Sequence, residues 1–440
     1  MSTSDRRDFI KQSGTGMATA LVTTLPAIAG ERKPAADLRV GVIGAGGRGR
    51  HISRLAAEKD GVEVSHVCDP DQQRLDKLAK ILGVKPANSV SDMRRVLDDP
   101  TVDAVLIATP DHWHAPAAIL ACDAGKHVYV EKPCSHNIRE GRLLVEAARR
   151  NDRVVQHGTQ VRSTTMMQEA TQLLHEGIIG DVLVARVWNV QKRDSIGRGK
   201  NMPVPPGIDF DLWVGPAPMR DYRSNLLHGH WHWWTDFGTG DMGNDGVHDL
   251  DYGRWGLGVE MHPAKISAAG GKYFFDDDQQ FADTQQVSFE YPGDGRPGSQ
   301  RMLIYEQRLW STNYPSVYNV DSGVEFYGTD GRMFLSRRGK IQVLDSDNKR
   351  IAVPVKPLAQ NASAHVDDFI DSIRNERRPN ADIEIGHLSA SLAHLGNMAT
   401  RLGRSLQFDP EAERIVNDPE ADLLVGRTYR DHWAVPQGVG

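Results

Sequence analysis

The chain has 440 residues, 39% hydrophobic and 25% charged, with a formal net charge of -6. Those values fit a folded soluble protein with room for two domains, and they lack the basic footprint of a nucleic-acid binder. The three cysteines, Cys68, Cys122 and Cys134, form no CxxC pair, so they indicate neither a disulfide framework nor a zinc site and read as buried small hydrophobes.

In chain order, Asp5-Arg6-Arg7-Asp8-Phe9-Ile10-Lys11 precedes an apolar run from Met17 to Ala29 that ends Ala27-Ile28-Ala29-Gly30. Residues 1–30 therefore read as a twin-arginine export signal cleaved near Ala29. The run is too short to span a bilayer, so no membrane insertion is expected and the mature protein is placed in the periplasm or outside the cell. A Pro/Ala linker, 31–37, follows.

Leu38 to Ile43 then reads as an apolar strand running into Gly44-Ala45-Gly46-Gly47-Arg48-Gly49, a GxGxxG turn. Gly44 permits the tight turn, Gly46 lets the backbone approach a pyrophosphate, and Gly49 lets the next helix pack close. A second strand, Val62 to Cys68, ends at Asp69, about 20 residues on, where a ribose-binding acid belongs. Asp69 favours NAD, and Arg74 leaves NADP open. Helices are expected over Gln72–Leu82 and Val90–Leu97, then a strand Ala104–Ala108 ending in Thr109-Pro110-Asp111-His112-Trp113-His114. Helix Pro116–Ala124 leads to strand His127–Val130 and Glu131-Lys132-Pro133. This alternation predicts a doubly wound parallel sheet over 38–158, with ligands beyond the strand C-termini.

From Thr159 the texture changes. A helix (Met166–Glu176) and a strand (Val182–Trp188) are followed by strand candidates at 265–269, 284–291, 301–307, 323–328, 332–336 and 341–344, then helices Ala364–Asn375 and Gly386–Leu402. They predict an α+β domain over 159–405 with a large, mostly antiparallel sheet, and a polar tail over 406–440. Between them lies His228-Gly-His230-Trp231-His232-Trp233-Trp234, dense in imidazole and indole. The alternating His228, His230 and His232 read as one face of a strand; a metal there is left open, and none is assigned for want of a matched acidic ligand. At least one of the tryptophans is expected in the core.

The ordered set of the glycine turn, Thr109-Pro110-Asp111-His112-Trp113-His114, Ala124-Gly125-Lys126-His127-Val128 and Glu131-Lys132-Pro133 resembles the glucose-fructose oxidoreductase / inositol dehydrogenase (Gfo/Idh/MocA) family over nearly the whole chain after the signal. The resemblance implies an N-terminal Rossmann domain and a C-terminal α+β domain. It also implies NAD(P)-dependent chemistry at a carbinol carbon of a sugar or cyclitol. It places the nicotinamide near Thr109, Pro110, His112, His114, Glu131 and Lys132. It makes Lys132 and His248 catalytic, with Asn244 where the family has Asp. Arg162, Trp231, His232 and Asp245 join His248 on the substrate side. A homo-oligomer through the C-terminal sheet is implied as well. Three functions follow in order: a sugar oxidoreductase with retained cofactor, a glycoside hydrolase or lyase working through a transient 3-keto sugar, and a non-catalytic binding protein.

Overall fold

A strand walled on both faces has no polar side, and β1 (Leu38–Ile43) is such a strand, buried at every position but Arg39. The computed structural model describes residues 37–311 and 319–439; the expected export signal and nearly all of the expected linker lie outside them. The first domain continues with α1 (Gly47–Ala57), β2 (Val62–Cys68), α2 (Gln72–Leu82), β3 (Ser89–Val90), α3 (Arg94–Leu97), β4 (Ala104–Ile107), α4 (Asp111–Asp123), β5 (His127–Val130), α5 (Ile138–Arg150) and β6 (Val155–His157). Its six strands are all parallel, in the order β3-β2-β1-β4-β5-β6. The order reverses between β1 and β4, which opens a crevice at their C-terminal ends. The helix expected over Val90–Leu97 is shorter. Val90 is drawn into the sheet opposite Cys68, and the Asp92 side chain accepts from Arg94 N at 2.9 Å, starting the helix late.

The second domain contains α6 (Thr165–His175), β7 (Val182–Asn189), α7 (Phe210–Val214), α8 (Val247–Leu257), β8 (Lys265–Gly271), β9 (Thr284–Tyr291), β10 (Arg301–Arg308), β11 (Ser322–Gly328), β12 (Gly331–Ser336), β13 (Lys340–Asp345), β14 (Arg350–Ile351), α9 (Ala362–Arg374), α10 (Ile383–Leu402), β15 (Leu406–Asp409), β16 (Arg414–Ile415) and α11 (Pro419–Asp422). The sheet order is β14-β13-β12-β11-β7-β10-β9-β8-β15-β16; β7 and β10 pair in parallel and the other pairs are antiparallel. Helix α8 lies on β7 and β11 with α10 against it, so even its polar residues His248, Asp249, Asp251 and Arg254 are buried. That sandwich fixes the helix that carries His248. No helix among the described residues is long and apolar enough to cross a membrane.

The stretch expected as a polar tail is structured. It forms the β15–β16 hairpin, whose Glu413 Oε1 lies 2.9 Å from His262 Nε2, 2.9 Å from His387 Nε2 and 2.6 Å from Arg142 Nη2, tying α5 and α10 together. It then reaches α5 of the first domain and the end of α7 in the second. Arg427 pairs with Glu140 at 2.7 Å, Tyr429 OH donates to Glu140 Oε1 at 2.8 Å, and Arg430 Nε donates to Gly215 O at 2.5 Å. Composition alone misses this, because charged residues that anchor a strap look the same in sequence as charged residues that solvate one.

Candidate active site

The crevice between β1 and β4 is a cavity of about 360 Å³, walled by Gly44, Gly46, Gly47, Arg48, Asp69, Arg74, Thr109, Pro110, His114, Glu131, Lys132, Trp231, His232 and Asn244 among others. Its floor is backbone, because there is no space for a side chain. Gly44 has φ +97°, and a Cβ there would stand 2.5 Å from Ala108 O. A Cβ on Gly49 would stand 1.8 Å from Gly44 O, so α1 packs directly onto the turn. A bare turn at a helix N-terminus suits a pyrophosphate. Two further observations fit a dinucleotide: Thr109 Oγ1 and Arg48 Nη2 belong to wall residues, and both are buried without a hydrogen-bond partner.

On the adenosine side, Asp69 braces the turn: Oδ2 accepts from Ala45 N at 2.7 Å and Oδ1 from Asp71 N at 2.9 Å. Ala45 thus serves the cavity through Asp69 and does not wall it. Burial pushes the Asp69 carboxyl above its ordinary range. Arg74 lies over the turn, with Nη1 2.8 Å from where a Cβ on Gly46 would be. Titration is expected to show NAD bound more tightly than NADP, since a 2'-phosphate would meet the Asp69 carboxylate. NADP binding as tight as NAD binding, lost in Arg74→Ala, would instead assign 2'-phosphate recognition to Arg74.

At the other end, Glu131 Oε1 accepts from Arg48 Nε at 2.7 Å and from Tyr129 OH at 3.1 Å. Burial pushes this carboxyl up, but Arg48 and Lys132 outweigh it and hold it below the usual carboxylate range. Arg48 therefore links the phosphate turn to the Glu131-Lys132 loop. His114 is wedged in the same place, its ring nitrogens 2.6 Å from Pro133 O and 2.9 Å from Thr109 O. Lys132, which precedes a cis bond to Pro133, donates from Nζ to Asn244 O at 2.5 Å and Asn244 Oδ1 at 3.0 Å. One ammonium thus joins the two domains at the cavity wall.

Asn244 sits in a π-helical turn, Met242–Gly246, that leads into α8. Around it Asp241, Asp245 and Asp249, spaced by four, meet Arg193 and Arg337. Arg193 Nε donates to Asp241 Oδ1 at 3.0 Å and its Nη2 pairs with Asp245; Arg337 Nη2 donates to Asp245 Oδ1 at 2.9 Å. Asp241 and Asp249 are buried and Asp245 half-buried, and the cations facing the three are Arg193, Arg337 and Lys132. Burial raises the Asp249 carboxyl to about 6, while for Asp245 burial is outweighed by Arg337, Lys132 and Arg193, which hold it far below its ordinary value. His248, 5% exposed, has Nδ1 buried without a partner; burial, then Arg337 and Lys132, push its imidazole well below the usual value.

Several expected contacts are corrected. Asp245 is absorbed by the two arginines, and neither it nor His248 is among the residues that wall the cavity. Arg162 forms a buried pair with Asp251 at 2.8 Å and stacks over Trp255, away from the crevice. His112 is fully buried among Trp213 and Phe237, its Nε2 3.1 Å from Trp213 O. Helix periodicity explains it: on α4, His112 and His114 point to different faces. The His/Trp run is no strand. Residues His230–Trp233 form a 3-10 turn, so the three histidines do not share a face. His228 Nε2 pairs with Asp71 Oδ2 at 2.8 Å, and His232 reaches the cavity beside Trp231, ring centroids 3.6 Å apart. Burial and Lys132 push the His232 imidazole down to about 3. Trp233 and Trp234 are core. Trp113 lies within the motif after β4, which assigns it no role, whereas Arg193, Arg337 and the wall residues Met93, Trp213 and Trp433 carry no spacing signal, and sequence reasoning missed them.

Comparison with known proteins agrees with this geometry. The family model described as "Oxidoreductase family, NAD-binding Rossmann fold" matches residues 38–159, and "Oxidoreductase family, C-terminal alpha/beta domain" matches 168–435. A Glycosyl hydrolase family 109 protein of Shewanella pealeana is 31% identical over 43% of this chain, and the match spans 48% of that protein, about half its length. Myo-inositol 2-dehydrogenase of Thermotoga maritima is 22% identical, covering 84% of this chain and 99% of that one. Among solved structures, levoglucosan dehydrogenase in complex with NADH and levoglucosan shares the fold, with TM-score 0.63, 20% identity, and 84% of this chain and 99% of that one covered.

Proposed function

The chain belongs to the Gfo/Idh/MocA family of NAD-binding oxidoreductases, and from that premise we propose that it transfers a hydride between NAD and a carbinol carbon of a sugar or cyclitol-type compound. The observation that carries this reading is Lys132 Nζ, held by both oxygens of Asn244 at the wall of the crevice whose floor is the glycine turn. Bound NAD supplies the hydride acceptor. Gly44 to Gly49 would hold its pyrophosphate, while Glu131 and His114 fix the loop that carries Lys132. Lys132 donates a hydrogen bond to the reacting hydroxyl and stabilises the negative charge that grows on its oxygen. The proton acceptor in this reading is His248 on α8, four residues beyond the wall residue Asn244; burial, Arg337 and Lys132 lower its pKa and keep the imidazole neutral. Asn244 orients Lys132 and supplies no base, because an amide does not titrate.

The likeness to a Glycosyl hydrolase family 109 protein supports a second reading, in which the hydride is returned after a glycoside is cleaved. One experiment separates them. Denaturing the purified protein identifies released nucleotide by mass spectrometry. Incubation with candidate sugars and aryl glycosides then shows either net NADH or aglycone release without it. No hydride exchange with any substrate would overturn both.

Export by the twin-arginine route is part of the proposal and rests on Arg6-Arg7. That route is associated with folded cargo, and a retained cofactor suits a compartment poor in free dinucleotide. Arg6→Lys with Arg7→Lys is expected to leave intact, nucleotide-loaded protein in the cytoplasm. Normal periplasmic recovery of the double variant would rule the signal out.

A further inference from the structure

The crevice wall includes a residue from the far end of the chain. Trp433 stands there with Ser91, Asp92 and Met93 from the loop after β3, and with Trp113 from α4. Its ring is fixed from several sides. The Arg94 guanidinium lies 4.3 Å from the ring centroid and is itself held by Asp92 at 2.5 Å. The Trp113 ring lies 5.8 Å away and that of His432 4.8 Å. The next residue, Ala434, is 2% exposed and packs in the core of the first domain with Val96 and Trp113. The strap that delivers it is anchored at Arg427, Tyr429 and Arg430, and again where Arg139 Nε donates to Gly438 O at 3.0 Å. A segment that only ended the chain would not need an indole seated in the crevice wall and anchors on both sides of it.

The position also says which part of a dinucleotide it meets. The glycine turn after β1 takes the pyrophosphate, and Asp69 after β2 marks the adenosine ribose. The loop after β3 lies further out on the same side, remote from Lys132 in the sheet order. An indole beside that loop offers a flat apolar surface to a purine. We propose that Trp433 is a positioning residue for the adenine end of the cofactor, so the C-terminal strap is part of the nucleotide site. The proposal rests on reading the crevice as the dinucleotide site.

The test compares the full-length wild type with Trp433→Ala and Trp433→Phe after nucleotide removal, titrating ADP, NAD and reduced nicotinamide mononucleotide by calorimetry. Stacking of a base on an aromatic ring implies that Trp433→Ala weakens ADP and NAD binding by roughly 10-fold or more. The mononucleotide, which lacks adenine, should bind as to wild type, and Trp433→Phe should restore most of the loss. Unchanged ADP affinity in Trp433→Ala overturns the proposal. So does equal weakening of the mononucleotide, which would mean that the strap only braces the fold. A wild-type protein that binds none of the three overturns the reading of the crevice itself.

Discussion

Replacing Lys132 by methionine is expected to lower turnover by about 10²- to 10³-fold while the protein keeps its NAD, the cost typical of removing one donor aimed at a developing oxyanion. Methionine preserves the length and apolar stem of the side chain, so the loop between Glu131 and Pro133 keeps its packing. What disappears is the ammonium that donates to Asn244 O at 2.5 Å and Oδ1 at 3.0 Å. Single-turnover hydride transfer, followed at the nicotinamide absorbance with nucleotide content measured in parallel, separates chemistry from cofactor loss. Turnover within a few-fold of wild type, with nucleotide retained, would remove Lys132 from the reaction. Loss of nucleotide with normal chemistry in the loaded fraction would reduce Lys132 to a cofactor ligand.

His248→Ala is expected to cost about 10²- to 10⁴-fold in turnover, the usual worth of a positioned acid or base, and to leave nucleotide affinity nearly unchanged. The pH profile carries more information than the magnitude. A base must be unprotonated to accept the hydroxyl proton, so oxidation rises as pH climbs through its pKa. Burial, Arg337 and Lys132 lower that of His248, which puts the acid limb of the profile below the range of an ordinary histidine near 6.5. Asn244→Asp would bring a carboxylate close to Lys132 and offset part of that cationic field, moving the limb upward. His232 is the competitor, because it walls the cavity and His248 does not. Near-normal turnover of His248→Ala together with a large loss in His232→Ala would transfer the role to His232.

The sequence by itself determined the parts written as local patterns. The GxGxxG turn, the apolar strands alternating with amphipathic helices and Asp69 at its distance from Gly49 specify the parallel sheet, because a phosphate turn is built from consecutive residues and its glycines have no substitute. Glu131-Lys132-Pro133 likewise announced a loop at the end of a strand. Only the tertiary structure decided which polar side chains face the crevice. His112 and His114 are two residues apart on one helix, yet one is sealed among aromatic rings and the other walls the site. Asp245 sits beside Asn244 but is neutralised by Arg193 and Arg337, which come from loops 52 and 92 residues distant. Arg162 finds its partner on α8, 89 residues on. The alternating histidines suggested a strand, but the 3-10 turn scatters them. Trp433 reaches the cavity only because Arg427, Tyr429 and Arg430 fold the chain end back. In each case the deciding term is a long-range ion pair or packing contact that satisfies a buried polar group. Such a term depends on which segments meet in space, and spacing along the chain does not encode it.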